Sequence, residues 1–169
     1  MSAKGTDYTI EGIDKLKSLV KDITMCLFCT DIKNNDGSTA RPMSATHVCD
    51  KGNIWFFDQK NSDKNKEIAK DPNVQLFFSH PPKGSYLVVN GHASIVLDRD
   101  KIDELWSPAV GIWFEGGKED PNVSLIKVEP KSAYFWDTDG NQMINFIKMA
   151  ASVVTGTNLV GGTEGEIKV

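Results

Sequence analysis

Residues 9–22, TIEGIDKLKSLVKD, place Ile10, Ile13, Leu16, Leu19 and Val20 near helical spacing with charged residues between them, which predicts an amphipathic first helix. The rhythm changes at Ile23. ITMCLFCT is an apolar run too short for a good helix, and the NNDG behind it is a hairpin signal, so a strand, a turn and a second strand are expected. That second strand, TARPMSATHV at residues 39–48, alternates correctly but carries Pro42. Proline cannot donate to a ladder, so it marks an edge, a first position, a bulge, or backbone that faces something other than a strand.

After the DKGN turn, NIWFFD reads as a short aromatic strand. NSDKNKEIAKDP follows, with Asn61, Ser62 and Asp63 all competent N-caps and Asp71-Pro72 as the stop, so a short bounded helix is expected. VQLFFS is a further strand, PPKG a turn, and SYLVVNGHASIVLD a long strand with a bulge or bend at Gly91. DRDKIDELW reads as a helix, and residues 107–122 as a long ordered loop carrying Trp113 and Phe114. VSLIKVEP and SAYFWD are the last two strands, and NQMINFIKMAASVVTG is a C-terminal helix.

About six strands in antiparallel order with hairpin-sized connections and a few helices favour a mainly β (α+β) architecture, a small closed or partly closed barrel. A length of 169 residues suits one such domain, here residues 1–155, and the Gly-rich end at 156–169 is expected to be a mobile tail. No repeat, Rossmann fingerprint or P-loop is visible.

Composition narrows the partners. A net charge of −4 with scattered lysines works against nucleic-acid binding. No apolar run is long enough to span a bilayer and the N-terminus has no signal-peptide core, so a cytoplasmic protein is expected. Three cysteines in apolar strand contexts fit reduced thiols better than disulfides. Cys26 and Cys29 form a C-x-x-C on a strand, where positions three apart face opposite sides of the sheet. A metal or redox site with His47 and Cys49 is therefore disfavoured against buried core cysteine.

No hydrolase elbow or zinc-protease motif is present, and no catalytic residue is assigned. The stronger constellation is the short helix that begins near Ser62. Its unpaired amides, the Ser62 hydroxyl, Lys64 and Arg41 could together cradle a phosphate monoester. A capped helix with solvated Lys64 and a surface Arg41 accounts for the same residues.

The ordered set ARPM, NIWFFD, NSDKNKEIAKDPNVQLFF, LVVNGHASIVLD, ELWSP, WFEGGKEDP and LIKVEPKSAYFWD resembles the general stress protein 26 branch of the pyridoxamine 5′-phosphate oxidase-like family, over roughly residues 10–137. The resemblance implies a six-stranded antiparallel split β-barrel of the FMN-binding type, a homodimer with flavin at the subunit interface, and a small-molecule redox partner. It places the strand of Arg41, Pro42 and Met43 beside the flavin, with Arg41 near the phosphate, and Phe56, Phe57 and Asp58 alongside. Ser62 and Lys64 match the phosphate-binding serine and lysine of the oxidases, and Tyr86 falls where those enzymes place a flavin-contacting glutamine. Trp106, Trp113 and Phe114 are candidate walls of the site, with ordinary packing as the alternative.

The sequence departs from the oxidases at three places. Asp58 replaces a common threonine, Asp63 replaces an arginine, and the C-terminal Arg-Leu-His substrate motif is absent. The phosphate site is therefore less positive, and true pyridoxamine phosphate oxidase activity is not expected. FMN is the expected cofactor, with FAD the first alternative and a deazaflavin or haem further ones. A flavin-dependent oxidoreductase and a non-catalytic flavin-binding, buffering or sensing stress protein are the two functional readings.

Overall fold

The computed structural model describes residues 4–34, 36–137 and 163–167, with residues 4–11 and 163–167 as backbone only. The expected helix at 141–156 lies outside these residues. Helix α1 (Lys4–Ile23) leads into strands β1 (Met25–Thr30), β2 (Thr39–Ser44), β3 (His47–Val48) and β4 (Ile54–Gln59), and helix α2 (Asp63–Lys70) follows. Strands β5 (Asn73–His80) and β6 (Ser85–Val96) come next, then helices α3 (Arg99–Leu105) and α4 (Pro108–Gly111), and strands β7 (Val123–Asp137) and β8 (Thr163–Ile167).

The eight strands form one antiparallel sheet in the order β2-β1-β5-β6-β7-β4-β3, with β8 on β7. Two strands lie beyond the roughly six expected. The stretch at 39–48 breaks after Ser44 into β2 and β3, because the amides of Ala45 and Thr46 turn to Thr24 and Trp55. Thr163–Ile167, expected in a tail, pairs with Ala133–Asp137. The two strands expected at 123–130 and 132–137 are instead one, β7, carried through an irregularity opposite Asn90 and Gly91. A Cβ at Gly91 would meet the Glu129 carbonyl oxygen at 2.6 Å, so this close backbone approach needs glycine.

Alternation sorts the side chains between two faces. Cys26 and Phe28 of β1, Met43 of β2, Ile54 and Phe56 of β4, Leu76 and Phe78 of β5, Leu87 and Val89 of β6, and Ile126 and Phe135 of β7 point into one cluster. Leu16, Leu19, Val20 and Ile23 of α1 and Ile68 of α2 join them. A single cluster fed by both ends of the sheet and by two helices means that the sheet curls around it. Lys15 of α1 pairs with Asp137 at the end of β7, and Asp137 also accepts from Ser85.

The outer face has two parts. Over β4 and the first half of β7, Trp55, Val123 and Leu125 pack under Ile102, Leu105, Val110 and Phe114 of α3, α4 and the following loop. Across the other strands, Pro42, Leu27, Phe77, Val88 and Tyr134 stand opposite one another in register, and Tyr86 stands opposite Trp136. Of these, Leu27, Phe77, Tyr86, Tyr134 and Trp136 are exposed. Pro42 is also exposed, on the end strand of the sheet. An end strand has only one neighbour, so the missing amide is tolerated there and no special partner is required to explain it.

Candidate functional site

The chain leaves β4 at Gln59 and re-enters helix at Asp63, and the turn between is locked by side chains. Ser62 has extended backbone (φ −62°, ψ 153°), and its Oγ accepts the Asn65 amide at 3.1 Å, as an N-cap serine does. The Asn65 side-chain amide donates to the carbonyls of Gln59 and Lys60 and to Ser124 Oγ. Ser124 in turn donates to the Asp58 carbonyl at 3.0 Å. The side chains of Ser62, Asn65 and Ser124 thus hold the strand end and the helix start in one geometry.

Within that frame the Asp58 carboxylate is the focus. Its Oδ2 accepts from Ser62 Oγ at 2.5 Å and lies 3.2 Å from Lys64 Nζ. Lys64 and Asp58 expose only 8% and 12% of their side chains, so their attraction is screened less than that of a surface pair. Burial pushes the Cys26 thiol up to about 12, with Cys29 adding to the rise and Lys64 opposing it. Cys26 and Cys29 are buried free thiols.

Arg41 reaches the same helix by another route. It donates to Glu67 Oε1 at 2.9 Å and to Thr30 Oγ1 at 3.0 Å, and Thr30 donates to Glu67 Oε2 at 2.5 Å. The Arg41 hydrogen bond holds the Glu67 carboxyl below its ordinary range, so it is ionised at neutral pH. At the rim, Lys66 pairs with Asp63.

Of the expected site residues, Asp58, Ser62 and Lys64 meet directly and Arg41 joins their helix through Glu67. Phe57, Trp106 and Phe114 form a separate aromatic trio, with Phe57 edge-on to Trp106 at 5.5 Å. Met43 and Phe56 send their side chains into the core, where Phe56 packs edge-on against Phe28 at 5.1 Å. Pro42 and Tyr86 stand on the open outer face, and Trp113 is 76% exposed. Glu67, Thr30, Asn65 and Ser124 are the participants that sequence reasoning missed. Glu67 alone carried a signal: four residues beyond Asp63, it falls on that residue's face of the helix.

The donors fit an anion, since a hydroxyl and an ammonium converge at the N-terminal end of a helix. Their charge is already matched inside the chain, by Asp58 for Lys64 and by Glu67 for Arg41. Among the described residues, Asn65 Oδ1 and Trp55 Nε1 are the buried side-chain polar atoms without a hydrogen-bond partner.

A curled antiparallel sheet with one short helix closing a polar seam defines a split β-barrel. The chain belongs to the family described as pyridoxamine 5′-phosphate oxidase like, whose model matches residues 11–159. Within it, the chain is similar to a general stress protein 26-type structure from Jannaschia sp. CCS1, at 28% identity and TM-score 0.68 over 97% of this chain and 99% of that one. It is also similar to the general stress FMN/FAD binding protein of Xanthomonas citri, at 25% identity and TM-score 0.65 over 92% and 98%. Protein bli-3 of Neurospora crassa is 29% identical over 111 residues, which are 61% of this chain and 53% of that protein. The chain thus spans about half the length of that curated relative. Among the described residues no helix is long and apolar enough to cross a membrane.

Proposed function

We propose that the chain is a flavin-binding protein of the general stress type, with FMN as its cofactor and FAD as the alternative, and that it is a flavin-dependent oxidoreductase acting on a small molecule. The observation that carries this is the seam at α2, where Ser62 and Lys64 converge at the helix start and Arg41 fixes the helix to β1 and β2. The FMN/FAD-binding relative from Xanthomonas citri supports it.

When bound, the flavin would supply hydride or electron transfer. The chain's part is to hold and orient. The Ser62 hydroxyl and Lys64 ammonium, with the Asp58 carboxylate between them, face the phosphate end, the Arg41–Glu67 pair keeps α2 from shifting, and Phe57, Trp106 and Phe114 provide an apolar wall that excludes water. A second copy of the chain covers the open outer face, making a homodimer with the flavin near the subunit interface.

The first test is the absorption spectrum and mass of the small molecule that copurifies with the full chain, followed by addition of NAD(P)H. A yellow protein whose flavin is bleached with turnover is expected. Tight flavin binding without turnover by any donor would assign storage or sensing instead, and a protein that takes up no flavin would overturn the reading. Arg41→Ala and Lys64→Ala should each weaken FMN binding about tenfold with the fold intact, since each leaves a carboxylate, Glu67 or Asp58, unbalanced near the phosphate end.

A further inference from the structure

The seam at the start of α2 carries its own anion. One oxygen of Asp58 takes the Ser62 hydroxyl at 2.5 Å and faces the Lys64 ammonium at 3.2 Å, the two side-chain donors that a phosphate oxygen would use. This carboxylate is held in place. Its backbone carbonyl accepts from Ser124 and Ser124 accepts from Asn65, while the Asn65 amide is capped by the same Ser62 that bonds the carboxylate. Asp58, Ser124, Asn65 and Ser62 therefore close a ring of hydrogen bonds around the position.

The balance of charge points the same way. Lys64 is matched by Asp58, Arg41 by Glu67, and Lys66 by Asp63. A phosphate dianion arriving here meets no uncommitted cation within this set. At about 4 Å and with an effective dielectric of about 20, the carboxylate opposes each added negative charge by several times the thermal energy, which offsets the attraction that Lys64 would otherwise supply.

We propose that Asp58 is a specificity-determining residue, a resident carboxylate standing where a flavin's phosphate would bond. On this proposal, which rests on the flavin reading above, the chain recognises its cofactor through the ring system and ribityl chain and gains little from a terminal phosphate. Its ligand class extends to phosphate-free flavins. Asp58→Asn should convert the seam to a phosphate site, because the amide still accepts from Ser62 while Lys64 loses its internal counter-charge.

The test titrates riboflavin and FMN, each followed by its fluorescence, into the full chain and into Asp58→Asn at neutral pH and fixed ionic strength. Wild-type affinities for the two flavins should agree within about threefold, and Asp58→Asn should tighten FMN by about tenfold or more while leaving riboflavin within about twofold. FMN should also raise the melting temperature of the variant more than that of the wild type. Should Asp58→Asn fail to fold, Asp58→Thr removes the same charge and is expected to give the same shift. A wild type that prefers FMN about a hundredfold, with a preference unchanged in both variants, would overturn the role of Asp58 and leave the flavin reading standing. Binding of neither flavin by wild type or variants would overturn the flavin reading and this inference with it.

Discussion

The two halves of strand β7 have opposite surroundings on their outer side. Near its start, Val123 and Leu125 lie beneath α3 and α4, together with Trp55 and Phe57 of β4 and Val96 of β6. Near its end, Tyr134 and Trp136 stand exposed with Tyr86, Phe77 and Leu27. One strand, its alternation shifted by a residue at the irregularity between Pro130 and Ser132, thus contributes to a sheet face covered by the chain's own helices and to one that none of the described elements covers. Burial, and not local composition, separates them. An exposed apolar row of this length across successive strands is what a protein–protein contact uses.

The largest effect is expected on the covered side. Ile102 is fully buried between α3 and the sheet, so Ile102→Ala should cost about 2–5 kcal/mol of folding stability, read from urea unfolding. On the open side Phe77→Asp should do the reverse. Monomer stability should fall by only about 1 kcal/mol, the strand-propensity cost at a partly exposed position, while association of the proposed dimer loses about 2 kcal/mol or more. Sedimentation across a concentration series reads the second effect. Equal folding losses in both variants, with association unchanged, would show that the open face is not a contact surface.

The smallest effect belongs to the polar seam, which neither outer face touches. The Glu67 carboxyl is held below its ordinary value of 4.5 by Arg41, so its contribution to stability is present in full above that value. It is lost as the pH falls through the lowered native value. Acid unfolding should accordingly steepen below about pH 4.5, and Glu67→Gln should remove that part of the slope while leaving stability at pH 7 to 8 insensitive to pH at this site. A variant with the wild-type slope would place the acid-sensitive group elsewhere.

Local patterns made much of the fold legible. The helical spacing around Leu16 and Leu19, the N-cap serine before α2 and the Asp71-Pro72 stop all describe interactions within a few residues, and α1 and α2 formed there. Gly91 was legible because a glycine inside a strand signals close backbone approach. What stayed hidden depends on contacts remote in sequence. Pairing of Arg41 with Glu67, and of Asn65 with Ser124, requires strands and a helix to meet first. The open face left a trace that went unused: Leu27, Phe77 and Tyr134 are apolar at positions that alternation assigns to the outside. Of the site, the cluster of Ser62 and Lys64 was readable, whereas the place of Asp58 as their direct partner was not.

Pro42 has a consequence for how copies of this chain can meet. A sheet with free ends can grow by adding strands, chain upon chain, into fibres. Among the described residues three strands have one neighbour each, and of these β2 bears a proline and β3 is two residues long, so both are poor templates for extension and β8 is the edge that remains. The proposed pairing of two copies is thereby left to the open outer face rather than to these two ends. Contact through an outer face can close after two copies, whereas contact through an edge has no natural end.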